Sequence, residues 1–154
     1  MPKIDIAKVP VDSRSNYPEP LNQVVSGRSR KRLGNAASLR QFGVNVTTLQ
    51  PGAASSLRHW HEKEDEFVYI LAGEVVLIED ESETVLRPGD AAGFKADVRN
   101  GHQLVNKSTH DAVYLEIGTR SKNERVEYSD VDLVMIRDDK GGRYMHKDGK
   151  PYSK

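Results

Sequence analysis

The stretch HWHEKEDEFVYILAG, His59 to Gly73, holds two runs of strand-forming residues around the charged turn Glu62-Lys63-Glu64-Asp65. Side chains alternate faces along a strand, so His59 and His61 point one way and Trp60 the other. Glu66 opens the next run four residues later, where an adjacent strand can bring its carboxylate to the two imidazoles. Two imidazoles and one carboxylate make a ligand set for a divalent metal. Glu64 and Asp65 are alternatives to Glu66, although they lie in the turn, where carboxylates mostly face water.

Working outward, short β-branched and aromatic runs continue on both sides. The spacing predicts strands over 41–49, 55–61, 66–71, 74–79, 83–87, 91–95, 101–106 and 112–118, broken by PGA, EKED, AG, DES, PGD, DVRN and KSTHD. Eight such strands predict an all-β fold, a jelly-roll barrel. Residues 1–40 read as an extended N-terminal arm, with four of the seven prolines and the basic run RSRKR at 28–32, taken as solvated surface. Within the arm, LGNAASLR predicts one helical turn capped by Asn35 or Ser38. Residues 41–120 form the barrel. Residues 121–154 form a C-terminal extension packed on it in the same domain, ending in a hairpin built from VDLVMI at 131–136 and RYMH.

His102 opens the predicted strand 101–106, and a closed barrel can bring it across the lumen as a fourth ligand. The expected cofactor is one divalent ion: Zn, Fe, Mn, Ni or Cu. His110 and His146 lack such company and read as surface residues. Parity with Glu66 puts Val68 and Ile70 on the metal side, and parity with His102 adds Leu104 and Asn106, giving a substrate pocket with apolar walls. Tyr114 and Glu116 share one face of their strand and are the catalytic candidates, Glu116 as a general base if it points inward. The opposite face, Val113, Leu115 and Ile117, looks more core-like. Arg58, Lys95 and Arg99 are the cations placed nearest the pocket mouth. Trp60, Phe67, Tyr69 and Leu71 face away from the ligands and suit packing against a second sheet or a partner chain, so a homodimer is expected.

These residues carry a resemblance to the cupin superfamily. Its first motif, G-x5-H-x-H-x3–4-E-x6-G, is similar to Gly52, His59, His61, Glu66 and Gly73, with one extra residue after Gly52. Its second, G-x5-P-x-G-x2-H-x3-N, is matched at Gly89, His102 and Asn106. Lys95 and Asp97 replace the usual Pro and Gly, and two extra residues precede the histidine. The resemblance covers about residues 41–118 and implies a double-stranded β-helix barrel with a His59, His61, Glu66, His102 metal site. More loosely, the chain resembles small bacterial single-domain cupins, some described as sugar-phosphate isomerase relatives.

Composition narrows the function classes. At 154 residues one core is feasible, and a domain of that size buries roughly 70% of its unfolded surface. Lys plus Arg equals Asp plus Glu at 23 each, so no net field draws the chain to nucleic acid or an anionic membrane. There is no cysteine, which excludes thiolate metal sites and a cysteine nucleophile. No apolar run suits a signal peptide or membrane span, so the expected location is the cytoplasm. The expected partner is a small molecule. Three functions stand open: a metal-dependent isomerase or epimerase, a non-haem dioxygenase, and a non-catalytic small-molecule binding or sensing module.

Overall fold

A computed structural model describes residues 2–153. Thirteen strands, two short 3-10 turns and one helical turn make up the described chain, in three antiparallel sheets. The strands are β1 (Val11–Asp12), β2 (Arg28–Arg32), β3 (Phe42–Leu49), β4 (His59–His61), β5 (Glu66–Ala72), β6 (Val75–Ile78), β7 (Glu83–Leu86), β8 (Ala91–Phe94), β9 (Gln103–Val105), β10 (Ala112–Thr119), β11 (Glu124–Tyr128), β12 (Val134–Asp138) and β13 (Gly141–Met145). A six-stranded sheet runs β1-β2-β3-β10-β5-β8, a four-stranded sheet β13-β12-β11-β4 and a three-stranded sheet β7-β6-β9.

Alternation explains how the barrel closes. Along β5, Val68 and Ile70 are buried while Phe67, Tyr69 and Leu71 are exposed, the period-two pattern of a strand with one wet face. Val75 and Leu77 of β6, Leu104 of β9 and Leu49 of β3 meet them from the other walls in one cluster. Each such side chain, fully buried, contributes roughly 1.5–3 kcal/mol. A second cluster, Val126, Tyr128 and Leu133 with Tyr17 and Tyr144 against it, joins the C-terminal sheet to the N-terminal arm. The β5–β6 turn requires glycine at position 73: φ there is +69°, and a Cβ would stand 2.4 Å from the Asp111 carbonyl oxygen.

The structure departs from the sequence reading in five places. The run RSRKR is not solvated surface; it is β2, paired with β3 from Arg28↔Leu49 to Arg32↔Asn45, and Arg28 is buried. Its guanidiniums hid the strand because a charge run reads as solvent-facing, whereas long cationic stems can line a wet cavity. Strand β11, Glu-Arg-Val-Glu-Tyr, escaped for the same reason, and it pairs with the ligand strand β4 through Val126↔His61 and Tyr128↔His59. The expected strand 55–61 is ordered as β4 only from His59. The inward face of β10 carries buried Tyr114 and half-buried Glu116, while Val113, Leu115 and Ile117 lie on the outer face and are only half-buried. The helical turn forms at Leu33–Ala36, but Arg32 stands at its start with no side-chain cap, so neither Asn35 nor Ser38 caps it. The C-terminal hairpin is present as β12 and β13.

Candidate metal centre and its cavity

Three sheets deliver the four ligand candidates. His59 and His61 come from β4 and Glu66 from the first position of β5; His102 just precedes β9 and is tied to His59 by reciprocal backbone hydrogen bonds of 3.2 and 2.9 Å. The imidazoles converge on one carboxylate. Glu66 Oε2 lies 2.6 Å from His102 Nε2 and 3.5 Å from His59 Nε2, and Oε1 lies 3.4 Å from His61 Nε2. The facing of His59, His61 and Glu66 is as read from the sequence, but β4 and β5 are not neighbouring strands: they lie in different sheets, and the ligands meet from separate walls.

The arrangement suits a cation. Ligand atoms of His59, His61 and Glu66 all lie within 4.8 Å of one another. Ligands at the usual 2.0–2.2 Å from an ion stand about 3–4 Å apart. Both ring nitrogens of His61 are buried without a hydrogen-bond partner, and a metal at Nε2 would satisfy one of them. His59 Nδ1 sits 2.8 Å from the Leu57 carbonyl, which can only accept, so Nδ1 carries the proton and Nε2 presents its lone pair. His102 is stacked flat on Phe94, with ring centroids 3.7 Å apart, which fixes its plane. A second grouping, His61, Glu64 and Glu124, lies behind His61. There Glu64 is engaged by Arg137 and the Ser121 amide, so that group reads as support for the ring.

Electrostatics agree. Burial alone would raise Glu66, but the hydrogen bond to His102 and the close His59 and His61 rings outweigh it and hold the carboxyl well below its usual range. Burial lowers His102 and keeps it neutral. Burial pushes His61 down too, yet Glu124 and Glu66 outweigh it and raise the ring to about 10, so the two carboxylates hold a proton there that a metal at Nε2 would have to displace.

The centre opens into a cavity of about 240 Å³. Val68 and Leu104 line it as expected, but Ile70 and Asn106 do not. Ile70 is wholly buried in the core, and Asn106 is wholly buried with its Nδ2 donating to the carbonyls of Leu49 and His110, a loop staple. Both catalytic candidates line the cavity. Glu116 Oε1 accepts from Asn45 Nδ2 at 2.9 Å, and its Oε2 lies 3.4 Å from Arg30. Tyr114 is raised by burial and stays an O–H donor, with no partner for its hydroxyl. Arg28, Arg30 and Arg32 also line the cavity, whereas Arg58, Lys95 and Arg99 do not. Arg58 is committed to Asp80 and Asp130, and Arg99 lies over Trp60. The cavity arginines were legible as a period-two series at 28, 30 and 32, had that run been read as a strand.

Residues 45–118 match the family model of the Cupin domain. Ninety-nine per cent of the chain superposes, with a TM-score of 0.95 and 45% identity, on 97% of a crystal structure from Silicibacter pomeroyi described as a sugar phosphate isomerase from a cupin superfamily. A second structure, from Acidithiobacillus ferrooxidans and bearing the same activity as a suggested one, shares 28% identity over 88% of this chain and 85% of its own, with a TM-score of 0.78. The polyketide cyclase RemF from Streptomyces resistomycificus shares the fold at 15% identity over 85% of this chain and 87% of its own, with a TM-score of 0.70. This chain belongs to the cupin superfamily. Among curated proteins, glutamate–cysteine ligase from Dictyostelium discoideum is 43% identical over 44 residues, 29% of this chain and only 7% of that protein. Among the described residues, no helix is long and apolar enough to cross a membrane.

Proposed function

We propose that the protein holds one divalent metal ion on His59, His61, Glu66 and His102 and uses it to isomerise or epimerise a small sugar-like substrate. The observation that carries this reading is the convergence of three imidazole Nε2 atoms on the Glu66 carboxylate at the wall of a cavity that also holds Glu116 and Tyr114. The sugar class is supported by the Silicibacter pomeroyi relative, described as a sugar phosphate isomerase. A bound ion would act as a Lewis acid, polarising a substrate carbonyl or hydroxyl oxygen.

The chain's own groups handle the protons. Glu116, aimed by Asn45, accepts the proton from the hydroxyl-bearing carbon beside the carbonyl and returns it to the carbonyl carbon, while the hydroxyl proton passes to the former carbonyl oxygen. Tyr114 Oη, buried and without a partner, is open to donate to a substrate oxygen away from the reacting carbons. Val68, Leu104 and Phe94 keep part of the wall apolar and limit water near the reacting carbon.

The test is proton NMR in D₂O on a panel of aldoses, ketoses and their phosphates. Metal-loaded wild type is expected to exchange the hydrogen next to the carbonyl and form the isomer. Protein stripped with a chelator, and Glu116→Gln, should do so at least about 100-fold more slowly. Exchange that survives in both would overturn the assignment.

A further inference from the structure

The cavity has a second polar region, built on the sheet rather than on the histidines. Arg30 of β2, Thr47 of β3 and Tyr114 of β10 stand opposite one another in a single cross-strand row. Residues so paired have Cβ atoms roughly 5 Å apart on one face. Arg28 lies on the same face two residues along β2, and its buried guanidinium is fixed by donating to the carbonyls of Ser55 (2.7 Å) and Arg14 (3.3 Å).

Two donors in this row have no acceptor. Arg30 Nε and Tyr114 Oη are both buried and both lack a hydrogen-bond partner, and both residues line the cavity. Buried donors are nearly always satisfied, so orphans facing a cavity mark the place of an acceptor-bearing ligand. Glu116 does not fill that place: it is held by Asn45 and touches Arg30 only through Nη2 at 3.4 Å, leaving the Nε edge free. Arg14 and Arg32 at the rim share Asp12, whose carboxylate offsets only one of them.

Charge points the same way. Arg14, Arg28, Arg30 and Arg32 line the cavity against Glu66, Glu116 and the Asp12 that Arg14 and Arg32 share, so the wall is net positive before any metal is counted. Arg30 Nε and Tyr114 Oη are two separate donors with a second arginine, Arg28, beside them, which suits a doubly charged group with three acceptor oxygens better than a singly charged carboxylate.

We propose that this row is a phosphate monoester subsite, in which Arg30 and Tyr114 bind the phosphoryl oxygens directly and Arg28 supplies the second positive charge. The inference rests on the sugar-isomerase reading for the rest of the substrate, and it names the group by which that substrate is anchored. It also gives a reason for the strand RSRKR: within it, Arg30 carries a buried Nε left without a partner.

The experiment is calorimetric titration of the metal-free full chain, dialysed against chelator, with inorganic phosphate and, separately, acetate. Wild type should bind phosphate and bind acetate far more weakly. Arg30→Met should weaken phosphate by roughly tenfold or more and Tyr114→Phe by a few-fold, while Lys150→Met, on the surface, changes nothing. Arg30→Lys keeps the charge without the fork and should recover only part of the affinity; it also serves if the Met variant does not fold. No phosphate binding by folded wild type, undiminished binding in both cavity variants, or acetate binding as tight as phosphate would overturn the subsite. Because no metal is present, that failure is separate from failure of the metal reading, which metal content decides.

Discussion

Glu124 Oε2 lies 3.6 Å from His61 Nδ1, on the far side of the ring from Glu66. Glu124 is almost wholly buried, and its other oxygen accepts from the Lys63 and Arg125 amides, so the carboxylate is fixed and only a slight closing of the ring completes the contact. A buried carboxylate behind a ligating imidazole orients the ring and increases its basicity. Glu124→Gln, which keeps the shape and loses the charge, is therefore expected to lower metal affinity by about 10–100-fold. Competition titration against a fluorescent chelator measures this, with far-UV circular dichroism to show that the fold is kept. Unchanged affinity would remove Glu124 from the metal centre.

Gly73 and Gly89 both have positive φ, but only Gly73 is crowded: a Cβ at 73 meets the backbone of Asp111 and Ala112, and one at 89 meets nothing within 4 Å. Gly89→Ala should cost about 1–2 kcal/mol, the penalty of the left-handed region alone. Gly73→Ala should cost clearly more, because backbone on the neighbouring loop must move. Urea unfolding of the two variants side by side reads the difference; equal costs would contradict the account of that turn.

Tyr17, Tyr128 and Tyr144 pack together with ring centroids 5.6 to 6.4 Å apart where the N-terminal arm meets the C-terminal sheet. Burial raises all three, Tyr144 to about 12. An unfolded tyrosine ionises near pH 10. Above that value the unfolded chain holds fewer protons than the folded one, so this contribution is intact below pH 10 and is lost as pH rises to about 12. Tyr144→Phe should flatten the alkaline loss by on the order of 1 kcal/mol at pH 11, measured by urea midpoints from pH 8 to 11. An identical slope in wild type and variant would contradict it.

On the outer face of the six-stranded sheet, Val46, Leu115 and Tyr69 form one cross-strand row and Val44, Ile117 and Phe67 the next. The patch carries no charge across three adjacent strands, and Phe67, Tyr69 and Leu71 are each at least 40% exposed. A flat uncharged face that meets itself across a two-fold axis needs no complementary charges, so the expected occupant is a second copy of the chain. Sedimentation velocity should give a dimer for wild type and a monomer for Tyr69→Asp. A monomeric wild type would reject this.

Much of the barrel was legible because its strands obey simple alternation. In β5 and β6 buried positions alternate with more exposed ones, and the His59, His61 and Glu66 spacing was readable as a ligand set although β4 and β5 lie in different sheets. The parts that were not legible share one cause. In Arg28–Arg32 the cavity-facing positions are arginines, and in Glu124–Tyr128 three of five residues are charged with Glu124 among the buried ones, so a pattern search that equates charge with solvent passes over both. Those two strands supply the arginines of the cavity and the carboxylate behind His61. Asn106 was misplaced for a related reason: strand parity put it beside the metal, but β9 ends at Val105, and beyond that point the alternation no longer sets direction. Glu116 was the reverse case, since the apolar run Val113, Leu115, Ile117 resembled a core face and instead lies on the outside of the sheet.

The central claim is that His59, His61, Glu66 and His102 hold a metal ion, and its most direct test is metal content by mass spectrometry on the tag-free full chain. Wild type should carry about one iron, manganese, nickel, copper or zinc per chain, as purified or after loading, and His59→Ala and Glu66→Ala should each lose it while keeping the wild-type circular dichroism spectrum. A wild-type protein that stays empty after incubation with each of these ions, or folded variants that keep the full complement, would contradict the assignment.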